Sequence, residues 1–342
     1  MATPLMAESS SDTTTYNDVA VIGGGAWGTA LALVAAQAGA RTTLWARESA
    51  VVDAIRRTHE NAQFLPGIAL PSAIAVTGEL KEAAAAQALL LVVPAQHLRT
   101  SLAALAPLVA PGTPLMLCAK GIERGSGLLL TEVLAELVPQ CEPAILSGPS
   151  FAHDVAIGLP TAVTIAARLD IARRLQATLA HAQFRPYASD DLTGVALGGA
   201  AKNVYAIGCG TADGLGLGES ARAALLTRGF AELARLGEAL GARAETLMGL
   251  SGLGDLVLTA SSPSSRNFAF GQKLGRGQTL DELRRPGTPL AEGVETAPAL
   301  VARARRHGVE LPIAETIAAI LAGALAPSAA LERLMRRPLK PE

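Results

Sequence analysis

The chain has 342 residues, half of them apolar and 17% charged, with a formal net charge of −1. This composition suits about two domains with buried cores and excludes a disordered chain, and the near-zero charge excludes the broad basic footprint of a nucleic-acid binder. Aromatic residues at 3% beside 34 glycines predict an aliphatic core with close backbone approaches.

The first seventeen residues are rich in Ser, Thr and Asp. They lack the basic start and apolar stretch of a signal peptide, so a disordered N-terminal extension (1–17) is expected. No apolar run reaches the roughly 18 residues that would span a bilayer. Cys118, Cys141 and Cys209 are widely spaced, with no C-x-x-C pair, and read as reduced thiols of a cytoplasmic protein.

From Asp18 the pattern alternates. The first strand is predicted over Asp18–Gly23, a helix over Ala26–Ala38 and a second strand over Arg41–Ala46. Further strands are predicted at 73–76, 88–93, 114–119, 143–147 and 161–166. Helices are predicted between them, at 50–60, 98–105, 128–137 and 171–181. Such alternation argues for a mostly parallel sheet covered on both faces. The unbroken apolar run Leu89–Val93 suits a central strand buried on both sides. Beyond Ser189 no strand pattern follows, and Ala- and Leu-rich helical segments take over. The predicted architecture is thus an α/β domain over 18–189 and an all-helical C-terminal domain over 190–336, dividing near Asp190.

Between the first strand and first helix lie Gly23, Gly25 and Gly28, the G-x-G-x-x-G spacing of a Rossmann dinucleotide turn. The first glycine permits the tight turn, the second lets backbone approach a pyrophosphate, and the third lets the helix pack on the sheet. Amides at the helix start then face the anion. At the end of the second strand, where an NAD-specific domain usually carries an acid, the sequence has Arg47 and then Glu48. A guanidinium there can pair with a 2′-phosphate, which predicts NADP use with NAD tolerated. A solvent-facing arginine is the plainer reading.

Lys202 stands among small residues. Its helical neighbours at −4, −3 and +4 are Gly198, Gly199 and Ala206. A lone cation on so bare a face has the shape of a pocket floor, and desolvation would bring it toward acid–base range. A snorkelling lysine at a helix contact fits the spacing equally well. Asp255 lies in Gly252-Leu253-Gly254-Asp255, a glycine-flanked carboxylate. Ser265-Arg266-Asn267 offers a hydroxyl, a fork of donors and an amide, which suit a small polyol phosphate or a plain helix cap. Lys120 follows an apolar strand, at the edge where open α/β sheets bind ligands. Gly148 and Ser150 end another strand and can hold an anion. The five histidines show no metal-ligand spacing, so no metal is expected. His153-Asp154 invites a serine triad, but the chain has no G-x-S-x-G elbow.

Together these segments resemble bacterial NAD(P)-dependent glycerol-3-phosphate dehydrogenase, from about Asp18 to Arg336. The resemblance is carried in order by Val21–Ala30, Asn61–Pro66, Val92–Gln96, Ala119–Glu123 and Ser147–Ala152. It continues through Leu197–Val204, Gly252–Thr259, Ser265–Asn267 and Ala291–Gly293. It implies reversible hydride transfer between NAD(P)H and dihydroxyacetone phosphate, giving sn-glycerol 3-phosphate for phospholipid synthesis. Lys202 matches the family's acid–base lysine, and Lys120 a contact to both substrate and cofactor. Gly148, Ser150, Asp255, Ser265, Arg266 and Asn267 match substrate positions. Ala26, Trp27, Arg47, Ala152, Arg266, Leu290 and Glu292 match cofactor positions. Leu290 and Ala291 replace the commoner valines. The family also implies a homodimer. A dehydrogenase for small hydroxy acids, and a non-catalytic redox sensor, are the other readings of the same two-part plan.

Overall fold

The computed structural model describes residues 14–285, 288, 291–336 and 338. The first half alternates strand and helix: β1 (Asp18–Ile22), α1 (Ala26–Gln37), β2 (Arg41–Trp45), α2 (Ser49–Thr58), β3 (Ala75–Thr77), α3 (Leu80–Ala84), β4 (Ala88–Leu91) and α4 (Leu98–Leu105). Then come β5 (Pro114–Leu117), α5 (Leu130–Leu137), β6 (Glu142–Ser147), α6 (Ala152–Ala156), β7 (Thr161–Ala166), α7 (Leu169–Leu179) and β8 (Phe184–Ser189). The strands form one eight-stranded sheet in the order β3-β2-β1-β4-β5-β6-β7-β8. Pairing is parallel except between β6 and β7. The order reverses at β1, so a crevice opens beyond the carboxyl ends of β1 and β4, where such sheets take ligands.

Helices fill the rest: α8 (Leu192–Gly214), α9 (Gly218–Ala239), α10 (Ala244–Met248), a π-turn (Leu250–Gly254), α11 (Asp255–Ser261) and α12 (Arg266–Gly275). They continue with α13 (Leu280–Leu283), α14 (Gly293–Arg306), α15 (Pro312–Leu321) and α16 (Ala330–Met335). The α/β-then-helical plan read from the sequence is the observed fold.

Two sequence expectations are corrected. No strand was predicted over 184–189, yet β8 is there, at the sheet edge. Phe184 and Pro186 face inward while Arg185 and Tyr187 face water. A proline is tolerated on an edge strand but obscures a strand pattern. The end of the extension expected to be disordered is instead packed at Tyr16 and Asn17. Residues 1–13 lie outside the described residues, but Tyr16 is buried. Its amide donates to Thr178 Oγ1 at 2.9 Å, and the Arg174 guanidinium stacks 3.8 Å from its ring centroid. A large ring with a cation partner anchors this stretch before β1 begins.

The core sorts by sheet face rather than by half of the chain. Val19, Val21, Leu90 and Met116 bury on one face with α1 and α7. Ala20, Ile22, Leu91 and Leu117 bury on the other with the C-terminal helices. Helix α8 is buried from Gly194 to Ala212. A Cβ on Gly210 would lie 2.1 Å from the Phe268 carbonyl oxygen, and one on Gly271 2.1 Å from that of Ile207. The α8 and α12 backbones therefore touch, the close approach that the glycine-rich composition predicts.

All three cysteines are free and buried. Burial pushes the Cys118 and Cys141 thiols up, and Cys209 to about 12. They are poor nucleophiles. Among the described residues no helix is long and apolar enough to cross a membrane.

Candidate active site

The glycine turn has the shape its residues demand. Gly23 has φ +136°, and a Cβ there would lie 2.3 Å from the Val92 carbonyl oxygen. A Cβ on Gly28 would lie 1.8 Å from the Gly23 carbonyl oxygen. Gly25, by contrast, meets nothing within 4 Å, so its freedom serves space outside the chain. This is a cradle fitted to a pyrophosphate rather than a turn packed for its own sake. Asn61, buried, braces it: its amide donates to Gly24 O at 2.8 Å and to Thr29 Oγ1 at 2.7 Å. Ala26, Trp27 and Ala152 are half-buried and lean on the core of that face. Arg47 is exposed and pairs with Glu48 at 2.7 Å. It follows Ala46, whose Cβ would sit 2.5 Å from a Cβ on Gly24. Leu290 lies outside the described residues.

Elsewhere, three elements meet at one carboxylate. Lys120 comes from the segment after β5, and Lys202 from the middle of α8. Asp255 opens α11, directly after the π-turn, a distortion frequent at functional sites. Lys202 Nζ donates to Asp255 Oδ1 at 2.5 Å and to Thr259 Oγ1 at 2.8 Å. Lys120 Nζ donates to Asp255 Oδ2 at 2.6 Å and to Gly148 O, beyond β6, at 3.1 Å. Asp255 is 1% exposed and Lys202 7%. Each ammonium has three donors, and two are taken among the described residues, which leaves each one N–H for a ligand.

Electrostatics follow from burial. Desolvation brings the Lys202 ammonium down to about 7. The Lys120 charge adds to this, while the Asp255 carboxylate opposes it. Burial acts to raise the Asp255 carboxyl, but the two lysines outweigh it and hold it below the ordinary range. Burial raises the Glu292 carboxyl, against the charge of Arg266. Glu292 Oε1 accepts from the Ala95 amide at 3.4 Å, so the start of α14 meets the turn after β4.

Several expectations change. Lys202 does not rise from a bare pocket floor. A Cβ on Gly198 would lie 2.7 Å from the Ser251 carbonyl oxygen, and one on Gly199 2.7 Å from Ser147 Oγ. The glycines admit the π-turn and β6 against α8, and these neighbours desolvate the lysine. Asp255 is not presented to solvent but locked between the lysines. Ser265 caps α12, accepting from the Phe268 amide at 3.2 Å. Asn267 donates to Asn203 Oδ1 at 2.9 Å and accepts from the Gly293 amide at 2.9 Å, so it joins α8, α12 and α14. Ser150 Oγ donates to Gly148 O at 3.1 Å. Arg266, first in α12, is exposed. His153 is exposed, Asp154 is half-buried, and their side chains lie 3.9 Å apart. Thr259, Asn203 and Asn61 lay within the segments that carry the resemblance, but the sequence reading gave them no role. Thr259 had a signal, standing four residues after Asp255 where helical side chains meet. Among the described residues no cluster of metal-ligating side chains occurs.

Known proteins share this arrangement of segments. Residues 18–171 match the N-terminal model of NAD-dependent glycerol-3-phosphate dehydrogenase, and residues 191–332 match the C-terminal model. The chain belongs to that family. It is 56% identical over 331 residues to the glycerol-3-phosphate dehydrogenase [NAD(P)+] of Parvibaculum lavamentivorans, covering 96% of this chain and 99% of the relative. It is 58% identical over 330 residues to that of a Bradyrhizobium species, with coverage of 96% and 99%. The crystal structure of glycerol-3-phosphate dehydrogenase from Coxiella burnetii superposes with a TM-score of 0.89 at 38% identity, covering 94% of this chain and 99% of that one. The resemblance seen in the sequence is therefore family membership.

Proposed function

We propose that this dehydrogenase family member reduces dihydroxyacetone phosphate to sn-glycerol 3-phosphate, and runs the reverse oxidation, with NADP or NAD. The carrying observation is the pair of ammoniums on one buried carboxylate, each with a spare donor, together with an open dinucleotide cradle. A bound nicotinamide dinucleotide supplies the hydride that reaches the carbonyl carbon. Lys202 gives its proton to the carbonyl oxygen as the π bond breaks, and the alcohol forms. In oxidation the neutral amine takes the hydroxyl proton back. With a value about 7, Lys202 holds either protonation state at neutral pH, as a reversible acid–base group must. Lys120 steadies the charge that develops on oxygen. Gly23, Gly25, Ala26, Trp27, Gly28, Ala152, Glu292 and the uncharted Leu290 complete the cofactor side. Gly148, Ser150, Ser265, Arg266 and Asn267 complete the substrate side. Residues 18–189 thus carry the cofactor and 190–336 the acid.

NADPH oxidation with dihydroxyacetone phosphate, compared with 3-hydroxyisobutyrate oxidation, tests the substrate class. Activity on the hydroxy acid alone would overturn it. Following the family resemblance, we also propose a cytoplasmic homodimer feeding phospholipid synthesis, which sedimentation of the purified chain tests for assembly.

Arg47 is proposed to read the 2′-phosphate. Arg47→Ser should cut kcat/KM for NADPH about tenfold and leave NADH within about twofold, the loss of one charge-assisted contact. Equal loss with both cofactors would remove this role. Arg266 is exposed at the start of α12, free to meet a phosphate in a forked geometry. Arg266→Ala should raise KM for dihydroxyacetone phosphate by about tenfold or more with a smaller change in kcat. Unchanged kinetics would place this side chain in solvent.

A further inference from the structure

Lys120 sits on a segment that both halves of the molecule grip. After Gly121 the chain makes a tight turn, closed by the bridge between Ile122 and Leu129. The cofactor half holds this turn through Gln96, which donates to Ile122 O at 2.9 Å. Helix α14 holds it from the other side. Arg303 forks onto Glu132, with both N–O distances 2.8 Å, and also donates to Gly127 O at 3.0 Å. Arg306 donates to Ser126 O at 2.8 Å. Helix α14 is capped by Glu292, which meets the Ala95 amide in the turn after β4, so one helix joins that turn to the 121–129 turn.

The Arg303–Glu132 pair is a poor device for stability. Arg303 is 8% exposed, and its Nε is buried with no partner among the described residues. Desolvating an arginine this way, with one donor unspent, costs about as much as the pair returns. Its planar fork does fix a geometry that an apolar contact would leave loose. We propose that Arg303 is a positioning residue for Lys120: it fixes the 121–129 turn on α14 and so holds the Lys120 ammonium at Asp255.

This rests on the reading of Lys120 as a group of the active site, and a double-mutant cycle separates the two. The test measures kcat/KM for dihydroxyacetone phosphate at saturating NADPH in the full chain. Arg303→Met should lower it on the order of tenfold, because small displacements of a positioned group cost rate steeply. In a Lys120→Met background the same change should cost less than about twofold, since the group it positions is gone. Arg303→Met/Glu132→Gln removes both charges, avoids leaving the half-buried Glu132 carboxylate without its arginine, and carries the same cycle if the single variant does not fold. Unchanged kcat/KM, or a tenfold loss in both backgrounds, overturns the proposal while the active-site reading stands. If Lys120→Met itself changes nothing, the active-site reading of Lys120 fails, and the proposal fails with it.

Discussion

Lys202→Met should lower kcat for dihydroxyacetone phosphate reduction about a thousandfold, the scale of a lost general acid. Nicotinamide binding, followed by NADPH fluorescence, should stay within about twofold, because the cradle lies on β1 and α1 rather than α8. The acid also dictates opposite pH profiles for the two directions. Reduction needs the ammonium, so its rate should fall as pH rises through about 7. Oxidation needs the free amine and should fall as pH drops through the same value. The variant should lose both limbs. Turnover equal to that of the unmodified protein would sink the mechanism, and so would pH limbs that survive in Lys202→Met.

Asp255→Asn should be the most damaging change to the fold of the site. It leaves the buried Lys202 ammonium and the half-buried Lys120 ammonium facing one neutral amide. Removing one partner of a buried ion pair costs about 3–5 kcal/mol, which a shift of the urea midpoint measures. The kinetic consequence has a definite sign. Asp255 is the group that raises the Lys202 value, against burial and Lys120. Without its charge the ammonium should lose its proton at lower pH. The descending limb of the reduction profile should therefore move to the acid side, and activity at neutral pH should fall. A limb that stays in place or moves alkaline would show that Asp255 does not govern Lys202.

How much of this the sequence disclosed depends on the range of the contacts. The glycine turn was legible because the residues that signal it are consecutive: strand, three glycines and helix follow one another within residues 18–37, although Val92 and Asn61 complete its packing from far along the chain. Lys202 stood out as a cation in a run of small residues, but the reason assigned was wrong. The glycines make room for Ser251 and Ser147, each more than fifty residues away along the chain, and spacing carries no such information. Asp255 was read as facing a ligand for the same reason, since both of its lysine partners are remote. Ser265 and Asn267 likewise have partners within the chain that spacing did not show. The fold spends their polar groups on a cap and on the Asn203–Gly293 link. Family resemblance pointed to these positions, but it did not say which of them would act on a ligand directly and which hold those that do.

Helix α8 completes the sheet face that carries Leu91 and Leu117. The nucleotide-binding half is therefore not a detachable cassette. Cutting the chain near Asp190 would bare aliphatic strands to water along with removing Lys202, and a sheet so stripped invites aggregation rather than function. The helix that carries Lys202 also roofs one face of the sheet, so a change that loosens this helix should cost stability and activity together.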